Sequence, residues 1–147
     1  MDTWMPFDKT NIFERWETPC SGLLSLYFVG LVDADEQLIF TVRDEEFQYQ
    51  FSFESFGPYQ VADEAFLEAQ QVDREKHAAL TASTEGFPGR TYLVSNSPWA
   101  KSFNQTLLGL YFPNGLQHYF IQTSEASLDI LAATPPLITV SKTSDIK

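Results

Sequence analysis

Phe47, Tyr49, Phe51 and Phe53 alternate with Gln48, Gln50, Ser52 and Glu54. A period of two sends successive side chains to opposite faces, so the stretch predicts a strand with one aromatic and one polar face. Leu38, Phe40 and Val42 alternate in the same way on the far side of Arg43-Asp44-Glu45-Glu46. The polar turn between two alternating runs predicts a β-hairpin. Residues 23–32 predict a preceding strand with apolar groups on both faces, joined to the hairpin through Asp33-Ala34-Asp35-Glu36. Gly57-Pro58 marks a bend, and residues 59–61 predict a short fourth strand. Sequential neighbours of this kind pair antiparallel as a meander.

The pattern then changes. Residues 65–80, AFLEAQQVDREKHAAL, are rich in helix formers behind Asp63 as a cap, but their apolar stripe is thin, so they read as a helix packed at one end or as a loop with helical turns; residues 83–90 read as a loop. Residues 91–94 predict a strand. Ser97-Pro98 opens a helix whose Trp99, Phe103 and Leu107 share one face. Residues 117–123 predict a strand with Leu116, His118, Phe120 and Gln122 on one side and Tyr119 and Ile121 on the other. Thr123 or Ser124 would cap a short helix weighted by Leu128, Ile130 and Leu131 and ended by Pro135-Pro136. A last strand over 137–140 and a flexible tail over 141–147 complete the chain. Residues 1–20 form an aromatic lead-in with Trp4, Phe7, Phe13 and Trp16, and a short turn at 11–16. The fold class expected is α+β: an antiparallel meander sheet of about five to seven strands with two or three helices on one face.

The 147 residues fit a single domain, 1–147, able to bury a core without a metal or disulfide. The single cysteine, Cys20, allows no intrachain disulfide and suits a reducing compartment. No apolar run reaches the ~18 residues of a membrane span, and the N-terminus lacks a basic start with an apolar core. The expected location is cytoplasmic. Net charge changes the picture most. Residues 1–68 carry 14 acidic and 3 basic groups, whereas residues 69–147 carry 6 of each, so the whole excess of −11 lies in the first half. Such a field repels nucleic acid and anionic lipid and attracts basic proteins.

Candidate chemistry is sparse. Phosphate-binding, dinucleotide, nucleophile-elbow and zinc-protease motifs are absent, and one Cys with two His fits no zinc template. Asp33-x-Asp35 begins like a calcium loop, but the remaining ligand positions do not follow. No metal and no cofactor is expected. The exposed turn carboxylates Asp33, Asp35, Glu36, Asp44, Glu45 and Glu46 are the candidate partner-binding groups, at opposite ends of one strand. His118 with Tyr49, Trp99 and Tyr119 is the candidate pocket, since histidine titrates near neutrality, although a structural, hydrogen-bonded His118 is the simpler reading.

Asn96-Ser97-Pro98-Trp99, Phe103, His118-Tyr119-Phe120-Ile121-Gln122-Thr123, Leu128–Leu131 and Pro135-Pro136 together resemble small uncharacterised bacterial α+β domain proteins. Those share an N-S-x-aromatic helix start followed by an H-Y-x-I-x-T strand. The resemblance spans residues 90–140, with a weaker echo around 51–64. It implies a compact bacterial α+β domain and no activity. Taken together, the sequence predicts a non-enzymatic acidic binding protein, in its sharpest form a toxin-immunity or regulatory protein that engages a basic partner protein. The alternative is a small-ligand-binding or small enzyme domain around His118; a third reading is an oligomerising domain.

Overall fold

The computed structural model describes residues 6–8, 10–63, 90–105 and 115–145. In chain order the elements are β1 (Ile12–Arg15), β2 (Tyr27–Ala34), β3 (Gln37–Arg43), β4 (Phe47–Phe53), β5 (Phe56–Asp63), β6 (Thr91–Ser95), α1 (Pro98–Asn104), β7 (Gln117–Gln122), β8 (Ala126–Ala132) and β9 (Leu137–Lys142). They build two antiparallel sheets, β1-β6-β7-β8-β5 and β2-β3-β4-β9.

The alternating runs behave as their periodicity demands. Leu38 faces Phe53, Phe40 faces Phe51 and Val42 faces Tyr49 across β3 and β4, so one apolar face is continuous over both strands. Tyr119 and Ile121 of β7 face Ile130 and Leu128 of β8 and supply the opposing face. These side chains form one core between the sheets, with Cys20 and Leu26 also fully enclosed. Phe53 meets Tyr119 with ring centroids 5.8 Å apart, and Trp16 bridges Phe51 and Tyr119 at 5.9 and 5.0 Å. Each fully buried side chain of this size contributes about 1.5–3 kcal/mol of transfer free energy. The four-stranded sheet turns its other face to solvent, with Gln50, Leu137 and Thr139 exposed. The five-stranded sheet is covered on both faces. On its outer face Phe13, Tyr92, Val94 and Phe120 form a second cluster that Phe7 packs against, and α1 lays Trp99 and Ala100 over Leu131.

The two sheets share a corner. Ser52 faces Leu137 on the four-stranded side, and Tyr59 faces Ile130 on the five-stranded side. Seven residues separate these paired positions on each strand, so the register beyond the bend matches the one before it, although within the bend Phe56 pairs with Ala132 one residue out of step and the strand is irregular between Phe56 and Tyr59. They are a single long ribbon that passes from one sheet into the other, the way strands make corners in packed sheets. Ala133 N–H donates to Ser55 C=O at 2.7 Å and holds the bend. Tyr59 OH donates to Asp33 Oδ2 at 2.9 Å, tying β5 to β2 across the sheets.

The α+β expectation is therefore overturned, and with it the fold implied by the resemblance. Strand accounts for 56% of the described residues and helix for 9%, and the only α-helix among them is seven residues long. The helix expected after Thr123 is β8, fully buried along its length. Its residues also alternate, with Ser127, Asp129 and Leu131 on one face and Leu128, Ile130 and Ala132 on the other. Pairing on both sides, with β7 and β5, overrides a helical reading based on apolar weight. The turn expected at 11–16 is the edge strand β1, and the meander breaks after β4 because β5 joins the other sheet. The expected tail begins instead as strand: Ser141 and Lys142 finish β9, and Thr143–Asp145 form a 3₁₀ turn. The expected helix over 65–80, and Leu107 of the expected helical face, lie outside the described residues.

The β2–β3 loop is two residues, Asp35 and Glu36, both with positive φ (55° and 62°). Such primed turns match the twist of the flanking strands, but a side chain with a Cβ is strained there. Glu36→Gly should therefore stabilise the protein by about 0.5–1 kcal/mol in urea denaturation, the relief of left-handed strain outweighing glycine's extra unfolded-state freedom.

Candidate functional site

Two constellations emerge. The first is a buried hydrogen-bonded chain on the outer face of the five-stranded sheet. Asn96, at φ 51°, reverses the backbone after β6 and delivers Ser97 as the cap of α1. Ser97 Oγ accepts Ala100 N–H at 3.2 Å and lies 2.9 Å from His118 Nδ1. His118 Nε2 lies 2.8 Å from Asp129 Oδ1. A carboxylate only accepts, so Nε2 carries the hydrogen; in the neutral ring Nδ1 then accepts the Ser97 hydroxyl. Trp99 stands edge-on to the imidazole at 5.0 Å.

Serine, histidine and aspartate in hydrogen-bonded series invite comparison with a hydrolytic triad, but here the parts are placed for structure. Ser97, His118 and Asp129 are only 3%, 1% and 4% exposed. The serine oxygen is already engaged by the helix backbone, and α1 sits over it with Trp99. A nucleophile must reach a substrate carbonyl, and this one is enclosed. The chain joins β6, α1, β7 and β8 into one unit, and Asn104 completes it by pairing its amide with Leu116 N–H (2.8 Å) and C=O (3.3 Å).

The expected aromatic pocket is not assembled. Trp99 and His118 do meet, but Tyr119 points through the opposite face of β7 into the core, and Tyr49 belongs to the four-stranded sheet. Tyr49 OH donates instead to Asp44 Oδ2 at 3.0 Å. Burial, then that bond to a carboxylate, pushes the Tyr49 phenol well above its ordinary range. Cys20 is enclosed too: desolvation lifts its thiol to about 11, against the lowering pull of the Thr18 hydroxyl. It is an unreactive core residue.

The second constellation is an open groove of about 280 Å³ lined by Leu23, Leu24, Ser25, Tyr27, Asp44, Glu45 and Glu46. Because Tyr27 pairs with Arg43, the chain entering β2 runs beside the β3–β4 turn. Both walls are fixed by backbone hydrogen bonds. Arg90 donates Nε–H to Leu23 C=O at 3.1 Å and also donates to Leu24 C=O. Asp44 Oδ1 accepts from Glu46 N–H (2.7 Å) and Phe47 N–H (2.6 Å), and Thr143 N–H donates to Glu46 C=O at 2.8 Å. Partial desolvation would raise the Asp44 carboxyl, but the Phe47, Glu46 and Tyr49 donors together hold it below its ordinary 3.8.

Of the six acidic candidates, Asp44 is thus a turn former, whereas Glu45 and Glu46 are exposed at the groove. Asp33, Asp35 and Glu36 are exposed at the other end of β3, on the order of 20 Å away at ~3.4 Å per residue. The structure does not gather them into one patch. Among the described residues no three His, Cys, Asp or Glu groups are placed to share a metal ion, and no helix is long and apolar enough to cross a membrane. Sequence reading missed Asp129, whose signal was the alternation in 127–132, and missed Leu23, Leu24 and Tyr27, which carry no local signal for a groove. Comparison with protein-family models, curated proteins and solved structures gives no match.

Ser97→Ala should cost about 1–2 kcal/mol as a lost cap, and His118→Ala about 1–3 kcal/mol because it removes the buried hydrogen bonds from the imidazole to Asp129 and Ser97; denaturant titration measures both, and full stability of His118→Ala would refute the structural role. Asp44 is depressed in the folded state, so its contribution is complete above its unfolded value and is lost as pH falls through the folded one. Asp44→Asn should then be less stable than the parent at neutral pH, with the gap closing on acidification below 3.8.

Proposed function

We propose that the protein is a non-enzymatic acidic binding protein that engages a basic partner protein, in a neutralising or regulatory role of the immunity-protein kind. The observation that carries this reading is the exposure of Glu45 and Glu46 on a turn held rigid by Asp44, beside a groove that presents Leu24. Asp33, Asp35 and Glu36 extend the negative field to the other end of β3. With the whole excess of −11 in the first half of the chain, association with a cationic surface is accelerated by about 10–10³-fold at low salt. The enclosure of Ser97, His118 and Asp129 weighs against catalysis by the one serine–histidine–aspartate series among the described residues.

The test is capture of partners from a lysate of the organism that encodes the chain, followed by reconstitution with the purified partner. Affinity should fall as NaCl rises, because exposed pairs are screened beyond ~8–10 Å. Reversing Asp33, Asp35, Glu36, Glu45 and Glu46 to lysine should weaken binding at least about tenfold, mostly through the association rate. A partner whose affinity ignores both salt and these reversals would sink the reading.

A further inference from the structure

Three features of the groove go beyond its charge. Leu24 is 77% exposed, and Arg90 anchors the backbone that presents this apolar side chain to water. An apolar contact on an anchored backbone gives binding energy with little ordering cost. Tyr27 lines the groove and already carries a guanidinium: Arg43 Cζ sits 5.5 Å from its ring centroid. Glu45 and Glu46 stand across from them on the Asp44 turn. The volume, about 280 Å³, falls just below the ~300–1,000 Å³ of small-molecule sites and suits one or two side chains of a protein.

Resting on the binding reading above, we propose that this groove is the docking point for an arginine of the basic partner followed by an apolar residue. The guanidinium lies against Tyr27 and bonds to Glu45 and Glu46, and the apolar neighbour covers Leu23 and Leu24. Arginine is selected over lysine because a planar guanidinium both stacks on an aromatic ring and forks onto carboxylates, whereas an ammonium is a strongly hydrated point charge. Asp44 makes no such bond, since its carboxylate already accepts three hydrogens from its own turn and Tyr49.

The test is a ¹⁵N–¹H NMR titration with two blocked peptides of equal charge, Gly-Arg-Leu-Gly-Arg-Leu-Gly and its lysine counterpart, at low and high NaCl. The arginine peptide should shift the amides of residues 23–27 and 44–46 and bind at least threefold tighter than the lysine peptide. Glu45→Lys/Glu46→Lys should abolish those shifts, and Leu24→Ser should weaken binding at least threefold; all three positions are exposed, so the fold is retained. Equal affinity for the two peptides overturns the arginine assignment. Salt-dependent shifts confined to residues 33–36 overturn the groove while leaving the acidic-partner reading intact. Absence of salt-dependent shifts with either peptide counts against both.

Discussion

The whole arrangement depends on one ribbon that turns a corner and recovers its register on the far side. β4–β5 and β8–β9 are paired from Phe47 opposite Lys142 to Asp63 opposite Ala126, and they change sheets together between Phe53 and Phe56, where the pairing steps by one residue before returning to register at Tyr59. A strand that is apolar on one face must bury that face against another layer, and here the corner supplies a second sheet from the same two strands. Tyr49, Phe51 and Phe53 thereby meet Tyr119, Ile121 and Ile130 in one core. A slip of one residue on either side would turn the aromatic face of β4 to water, so the register is held by the core itself.

With the inner faces satisfied, the outer faces decide the character of the molecule. On the five-stranded sheet, burying Asp129 would be costly without hydrogen bonds, and the His118–Ser97 series supplies them while fastening α1. Polar groups that in an open cleft would suggest hydrolysis here lock four elements together. The four-stranded sheet keeps a solvated face, and the groove forms where the start of β2 passes the β3–β4 turn. Its apolar wall and acidic wall are both rigid, which makes the cost of ordering small when a partner arrives.

The proposed function therefore rests on division of labour among similar residues. Asp44 is spent on the turn, whereas its neighbours Glu45 and Glu46 are turned outward by that same turn. Composition alone treats the three as equal, and hydrogen-bond geometry separates them.

Strands β3 and β4 and the hairpin between them were legible in the sequence because alternation is local and period two admits one reading. The opposite facing of His118 and Tyr119 was legible for the same reason, and the Ser97-Pro98 helix start from equally local cap and proline chemistry. Residues 126–132 were misread because a short, mostly apolar run can serve a buried strand or a helix, and only its partners β5 and β7 choose. The sheet change at Phe53–Phe56, the junction of Ser97, His118 and Asp129, and the meeting of Leu24 with Glu45 all join residues far apart in the chain. The sequence by itself determined which faces must be buried and where the negative charge lies. Tertiary structure alone decided which faces meet, which carboxylates stay exposed and that a groove exists, because each depends on long-range pairing that no local pattern encodes.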